Sequence, residues 1–166
     1  MADLLTESAK SDRFQHIHGY GQWGIWMPEL LKEKGLELSK HPNIQIREYI
    51  NDMPECLAAA DLVICRAGAI TLSELQAQGK ASVLIPSPNV AENHQYHNAM
   101  AMVNRSAAAI LEEKDLTGEA LCKKVAELFS KPGMIAELGE NAKKMAITDA
   151  NERIYKILKE VLADVR

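Results

Sequence analysis

An apolar run at residues 62–65 ends in the small-residue turn RAGA at 66–69, and a helix-like amphipathic stretch follows it. A second apolar run at 82–85 ends in PSP at 86–88, and another helix-like stretch opens at Glu92. This alternation of strands and helices predicts a parallel sheet with right-handed crossovers. In such a unit, ligands bind at the carboxyl ends of the strands, where turns and helix N-termini converge. The polar residues of this segment lie at those turns, so the segment predicts half of a nucleotide-type binding site.

The same alternation extends over the whole chain and predicts one α/β domain with a Rossmann-like, three-layer arrangement. Its 166 residues suit a single domain that buries an ordinary core. Further strands are predicted at 14–18, 44–50 and 107–111, and further helices at 3–10, 23–34, 53–60, 117–130, 134–145 and 151–165. A doubly wound domain usually opens with a strand and a glycine-rich turn. Because this chain opens on a helix-like segment instead, we expect the first strand and its turn to be absent.

Composition and charge argue against several classes of protein. The formal charge of −4 gives no basic footprint for nucleic acid. No apolar run approaches the roughly 18 residues of a membrane-spanning helix, and the first residues lack the pattern of a signal peptide. Cys56, Cys65 and Cys122 are odd in number and far apart, which argues against a disulfide framework or a zinc site. A reducing cytoplasm fits this cysteine usage best.

The segment RAGAITLSE at 66–74 resembles the C-terminal donor domain of the MurG family of glycosyltransferases, which have the two-domain GT-B fold. Segments at 17–21, 48–53, 92–99 and 149–153 resemble the same family, in the same order and over nearly the whole chain. The resemblance implies the donor half of an inverting enzyme. That enzyme transfers N-acetylglucosamine from UDP-N-acetylglucosamine to lipid I, a membrane-bound precursor, and makes lipid II in peptidoglycan synthesis.

The resemblance also implies a donor site at three turns of the predicted sheet. The implied residues are Ile50 for the uracil edge, the helix start Gly68, Ala69, Ile70 and Thr71 for the diphosphate, Glu74 for the ribose hydroxyls, and His94 and Gln95 for the donor sugar. The residues themselves support part of this assignment. Small residues at 68 and 69 let a backbone approach a diphosphate, and the free N–H groups and dipole of the following helix favour negative charge.

Other interpretations of these residues stay open from the sequence. Thr71 and Glu74 match the S/T-x-x-E capping box, so they are also compatible with a helix start that binds nothing. Ile50 is compatible with a core position, since the implied contact uses only its backbone. Arg66 is compatible with pairing to phosphate, with facing the acceptor cleft, or with bracing Glu74.

The spacing of the histidines argues against a metal site. His94 and His97 are three apart on a predicted helix, but no glutamate or third ligand completes an H-E-x-x-H pattern. The alternative for His94 and Gln95 is a solvated helix start. His16 and His18 share one face of a predicted strand, where packed histidines are the usual case. We therefore expect no metal and no cofactor, and a nucleotide sugar as the donor ligand.

For residues 1–166 the resemblance implies a donor-binding domain that is inactive alone. The family's N-terminal acceptor domain, which holds the acceptor site and the expected catalytic base, has no counterpart here, and neither has the donor domain's G-G-[ST]-x-G turn. The intact enzyme is expected at the inner face of the cell membrane, as a cytoplasmic peripheral protein that binds a lipid-linked acceptor through that domain. Two alternatives are a donor-binding subunit of a split transferase and a piece of a GT-B-fold sugar-nucleotide isomerase.

Overall fold

A computed structural model describes residues 1–11 and 13–164. In this part of the chain, strands and helices alternate as the sequence predicts. The strands are β1 His16–Gly19, β2 Ile44–Arg47, β3 Leu62–Cys65, β4 Ala81–Leu84 and β5 Ala109–Ile110. The helices are α1 Ala2–Ser8, α2 Met27–Glu33, α3 Met53–Ala59, α4 Ala69–Gln78, α5 His94–Val103, α6 Gly118–Ser130, α7 Met134–Lys144 and α8 Ala150–Asp164. The predicted α/β class with parallel strands is confirmed.

The strands form two parallel sheets within the described residues, whereas the sequence predicted a single one. One sheet pairs β1 with β2, and the other has the order β3-β4-β5. In a doubly wound fold of order 3-2-1-4-5-6, the first strand lies between the second and the fourth. Numbered that way, the observed strands occupy positions 3-2 and 4-5-6, so the break falls where a first strand would lie.

Helix α1 packs over both sheets and joins their cores. Its Leu4 belongs to an apolar cluster with Val83 of β4, whereas its Leu5 belongs to another with Leu31 of α2 and with β2. A third cluster lies between α4, α5 and the opposite face of β4. All four residues of β4 are buried, but all four residues of β3 are only partly buried. Interior parallel strands are normally covered on both faces, so β3 has the burial of an edge strand.

Several predicted boundaries were wrong, each for a local reason. The predicted helix 23–34 is split into a 3-10 turn at Gln22–Gly24 and α2, because Pro28 is tolerated only in the first turn of a helix. The predicted strand 44–50 ends at Arg47, and the predicted strand 107–111 pairs only over Ala109–Ile110. The stretch at Glu92 begins as a 3-10 turn before α5.

Helix α8 lies outside the three apolar clusters. Residues 150–163 are all exposed, including an apolar stripe formed by Ile154, Tyr155, Ile157, Leu158, Val161 and Leu162. Neither α8 nor any other helix among the described residues combines the length and hydropathy needed to span a bilayer. The last residue of the predicted helix 151–165 lies outside the described residues, because the structure describes the chain only to residue 164.

Candidate functional site

The start of α4 is a helix N-terminus without a side-chain cap. Gly68 is the N-cap, and no side chain accepts a hydrogen bond from the first turn. The first intrahelical bond runs from the Leu72 N–H to the Gly68 carbonyl, which leaves the N–H groups of Ala69, Ile70 and Thr71 outside the helical pattern. Because β3 ends at Cys65, these donors lie at the carboxyl edge of the sheet. They form a site that can accept an anion such as a diphosphate.

The backbone of Gly68 has ordinary geometry. Its φ is −69° and its ψ is 142°, values that any residue adopts. A Cβ at this position would meet only the Thr71 hydroxyl, at 3.9 Å. Neither backbone strain nor packing in the free chain therefore requires glycine here.

Thr71 and Glu74 do not form the capping box that their spacing allows. A capping box needs the threonine at the N-cap, but Thr71 is the third residue of α4. Glu74 is exposed, and it lines a cavity of about 210 Å³ between α3 and α4 together with Met53 and Pro54. Glu74 thus lies beside the start of α3, which follows the implied base site at Ile50 in the chain.

Arg66 braces three strand ends and does not contact Glu74 in any interaction that the structure records. Its Nη1 donates to the carbonyl oxygen of Ile85 over 3.3 Å, and the same nitrogen forms an ion pair with the carboxylate of Glu113. Residues 66, 85 and 113 follow β3, β4 and β5 respectively. The interpretation of Arg66 as a brace for Glu74 is wrong for this structure, whereas its partly exposed side chain still lies at the edge that would meet a phosphate.

The start of α5 is shaped by two residues in the left-handed region. Glu92 and Asn93 both have a φ of 52°, which is unusual for residues other than glycine. After them, the His94 Nδ1 lies 2.9 Å from the carbonyl oxygen of Ala91. Strained backbone of this kind tends to lie at ligand sites. The His94 ring is turned back onto its own loop, and its Nε2 edge is left for other contacts.

Two side chains of α5 hold the neighbouring loops in place. The Gln95 Oε1 accepts a hydrogen bond from the Ser87 N–H over 2.9 Å, after β4. One turn later, the Asn98 Nδ2 donates to the carbonyl oxygen of Ala67 over 3.1 Å, after β3. The amide group of Gln95 still has its two N–H donors, which can bind a hydroxyl. Helix α5 thus fixes the geometry of both turns that border the α4 N-terminus.

Ile50 lies three residues beyond the end of β2, so it does not end a strand as expected. Its side chain is half-buried and packs on β1, where a Cβ at Gly19 would approach its Cδ1 to 3.3 Å. With the Ile50 side chain packed in this way, the backbone of residues 48–52 lies at the edge of the sheet formed by the carboxyl ends of β1 and β2. Both interpretations of Ile50 are compatible with this geometry, since the implied uracil contact uses only the backbone.

The rim of this edge has several exposed apolar side chains. Trp23, Ile25 and Trp26 follow β1, Tyr49 follows β2, and Ile70 begins α4. The indole of Trp23 is the most exposed of these, at 86%. Large apolar groups gathered at one edge are characteristic of a surface that another molecule or domain covers.

Burial shifts the pKa values of Cys65, His16 and His18 towards their neutral forms. Burial raises the pKa of the Cys65 thiol to about 11, so this cysteine is a poor nucleophile. Burial also lowers the pKa of His16 and His18, and the Met1 amino group and the imidazole of His16 lower that of His18 further. Both Nε2 atoms are buried and have no hydrogen-bond partner. Within residues 1–11 and 13–164, no three His, Cys, Asp or Glu side chains gather closely enough to hold a metal ion.

The structure brings most of the predicted site residues to one edge, and it adds others that the sequence did not single out. Asn98, Ser87 and Glu113 are the additions, all of them through hydrogen bonds or an ion pair to residues at the strand ends. The spacing of the HQ-x-x-NA motif could have indicated Asn98, because it places this residue one helical turn after His94 and Gln95, on the same face of the helix.

Comparison with known proteins points to one family. The glycosyltransferase family 28 C-terminal domain matches residues 1–154. A Thermoanaerobacter sp. protein is 46% identical over 167 residues, which cover 97% of this chain and 43% of the relative. An Acetivibrio thermocellus protein is 48% identical over 123 residues, covering 74% of this chain and 33% of the relative. Both are named UDP-N-acetylglucosamine--N-acetylmuramyl-(pentapeptide) pyrophosphoryl-undecaprenol N-acetylglucosamine transferase. The chain thus spans less than half the length of these relatives.

A solved structure shows the same arrangement. Acinetobacter baumannii MurG superposes with a TM-score of 0.81 and 25% identity, over 96% of this chain and 44% of MurG. The resemblance to the MurG family inferred from sequence is confirmed, and so is its GT-B-type fold. The chain belongs to the glycosyltransferase family 28 C-terminal domain family.

Proposed function

We propose that this chain is the UDP-N-acetylglucosamine-binding half of an inverting transferase that makes lipid II from lipid I. The observation that carries the proposal is the uncapped start of α4 at Gly68, with Glu74 one turn further along the helix. Relatives that cover 97% of this chain carry the name of such a transferase. The proposed assignments match each part of the donor to a group of suitable chemistry.

In this proposal the diphosphate binds the N–H groups of Ala69, Ile70 and Thr71. As the bond between sugar and phosphate breaks, negative charge builds up on the leaving UDP, and the N-terminal end of the α4 dipole stabilises that charge. The Glu74 carboxylate accepts hydrogen bonds from the ribose hydroxyls. Uracil pairs with the backbone at Ile50.

The donor sugar is assigned to the start of α5. His94 and the free amide N–H groups of Gln95 bind its hydroxyls, while the Gln95 oxygen keeps its bond to Ser87. Arg66, whose Nη1 is already paired with Glu113, keeps further guanidinium N–H donors that can bind a phosphate oxygen of the leaving group. The proposal needs no metal, because backbone dipoles and a guanidinium group provide the electrostatic stabilisation.

We place the catalytic base and the acceptor site on a second, N-terminal domain outside residues 1–166. That domain would cover the exposed rim at Trp23, Trp26 and Tyr49, and it would bring the intact enzyme to the inner face of the membrane. A donor-binding subunit that works with a separate acceptor chain is the second candidate, and the exposed rim at Trp23, Trp26 and Tyr49 is equally suited to contact such a chain. No observation favours an isomerase.

Transfer of radiolabelled N-acetylglucosamine to lipid I tests this assignment. The chain alone is expected to give no product above a blank without enzyme, because catalysis needs both substrates held in position. The intact Thermoanaerobacter relative serves as the positive control. Product from residues 1–166 alone would contradict the placement of the base outside this chain, and product after adding a separate N-terminal domain would favour the two-subunit alternative.

A further inference from the structure

We propose that Glu113 is a positioning residue for the diphosphate of the donor, and that it acts through Arg66. Its carboxylate holds the guanidinium group by one nitrogen, so that the opposite edge of the group is presented to a phosphate. This role deepens the proposed function and rests on it, because it adds the segment after β5 to the same nucleoside diphosphate site.

The Arg66 side chain is anchored through a single nitrogen. Its Nη1 donates to the carbonyl oxygen of Ile85 over 3.3 Å and to the carboxylate of Glu113. These two acceptors match the two N–H groups that Nη1 carries. Because Ile85 follows β4 and Glu113 follows β5, the pair of bonds holds the guanidinium group across the carboxyl edge of the sheet.

The other edge of the guanidinium group is left for a ligand. Among the described residues, the recorded hydrogen bonds and ion pairs of Arg66 use Nη1 and neither Nε nor Nη2. These two nitrogens present parallel N–H donors, the fork that binds two oxygens of one phosphate. The side chain is 51% exposed, and Arg66 lies two residues before Gly68, the N-cap of α4. The open edge therefore belongs to the same turn as the proposed diphosphate site.

The segment after β5 determines which of two adjacent glutamates meets Arg66. The Leu111 N–H donates to the carbonyl of Leu84 over 3.0 Å, which fixes the chain beside β4 just before the two glutamates. Glu113 begins a 3-10 turn and pairs with Arg66, whereas Glu112 pairs with Lys114 over 3.1 Å. The two glutamate side chains are almost equally exposed, at 36% and 37%. Glu112 is thus a matched control for Glu113.

An anchor of this kind affects binding more than folding. A free arginine side chain has many rotamers and loses that freedom when it binds a ligand. Glu113 restricts the Arg66 side chain before the ligand arrives, so the phosphate contact costs less entropy. An ion pair between partly exposed side chains contributes little to stability. Loss of the Glu113 carboxylate is therefore expected to lower UDP affinity while the chain stays folded.

A double-mutant cycle with UDP as the ligand, titrated by NMR, tests this role. Glu113→Ala and Arg66→Ala are each expected to weaken UDP binding about fivefold, and the double variant no further than Arg66→Ala, because the first residue acts through the second. Glu113→Gln keeps an oxygen that accepts from Nη1, so its affinity should stay within about twofold of the parent chain. Glu112→Ala should bind UDP like the parent chain.

The NMR signal of the Arg66 Nε–H group gives a readout that a purely structural role would not change. UDP is expected to shift this signal in the parent chain and in Glu113→Gln, but not in Glu113→Ala. Thermal unfolding checks that each variant is folded. A Glu113→Ala variant that binds UDP as tightly as Glu112→Ala, or a double variant in which the two losses add, would overturn the positioning role alone. Absence of UDP binding to the parent chain would overturn the proposed function together with it.

Discussion

The side-chain amide of Asn98 donates a hydrogen bond to the carbonyl oxygen of Ala67 over 3.1 Å. This bond ties α5 to the turn that ends in Gly68, and it sets the direction of the backbone just before the α4 N-terminus. A residue that no pattern assigned to the donor thereby controls the geometry of the proposed diphosphate site.

Replacing Asn98 should weaken UDP binding. Asn98→Ala removes the bond and is expected to cost about 1 kcal/mol of stability. Asn98→Asp is expected to be worse for binding, because a carboxylate cannot donate to the Ala67 carbonyl and brings negative charge towards the diphosphate. Asn141→Ala is the matched control, since the Asn141 amide makes a similar bond to the Ser106 carbonyl, also at 3.1 Å, in a turn outside the site. Equal UDP affinities of the Asn98 and Asn141 variants, measured by calorimetry, would contradict this role.

Gly68→Ser should separate stability from anion binding. Serine is a good N-cap whose hydroxyl can accept from the free N–H groups of α4, so stability should rise by a few tenths of a kcal/mol. The same hydroxyl occupies the donors proposed for the diphosphate, and UDP affinity should fall.

Thr117→Ala serves as a control that should change stability but not UDP binding. Thr117 caps α6, where its Oγ1 accepts from the Ala120 N–H over 3.0 Å, and its loss should cost about 1 kcal/mol without changing UDP binding. Thermal unfolding and UDP titration of both variants provide the comparison. A Gly68→Ser variant that binds UDP as tightly as the parent would remove the α4 N-terminus from the site.

Glu74→Gln should lower donor affinity with little effect on folding. Each charge-assisted hydrogen bond to the ribose contributes roughly 1.5–3 kcal/mol, part of which glutamine keeps, so affinity for the donor should fall about tenfold or more. Because Glu74 is exposed and outside a capping box, stability should change by less than about 0.5 kcal/mol. The measurement is an NMR titration of the variant chain with UDP-N-acetylglucosamine. Glu160→Gln on α8 controls for the loss of one charge, and equal affinities of the two variants would exclude a ribose contact.

Stability should fall as the pH drops below neutrality, because of His16 and His18. Burial lowers the pKa of both imidazoles in the folded chain, so between the folded and unfolded values the unfolded chain binds more protons. Their contribution is fully present above an unfolded pKa of about 6.5 and is lost as the pH falls through the lower folded values. Replacing both by glutamine should flatten the dependence of the unfolding free energy on pH between neutral and mildly acidic conditions. An unchanged slope in denaturant melts would show that other groups cause it.

The sequence predicted the fold class and most of the donor edge, because the RAGA turn and the HQ-x-x-NA helix start combine local periodicity with functional residues. It did not predict the end of β2 at Arg47, since Tyr49 and Ile50 continue the strand pattern while the chain already turns. It also assigned Thr71 to a possible cap that Gly68 occupies instead. The ion pair between Arg66 and Glu113 joins residues 47 positions apart, and no local pattern marks such a contact.

Comparison of UDP, ADP and GDP binding to this chain by NMR tests the central claim most directly. The account predicts a dissociation constant for UDP on the order of 0.1–1 mM, with weaker binding of the two purine nucleotides. It also predicts that UDP shifts the amide signals of Gly68, Ala69, Ile70 and Thr71, together with those around Ile50. Equal responses to all three nucleotides would contradict uracil recognition, and shifts confined to other parts of the chain would contradict the donor site itself.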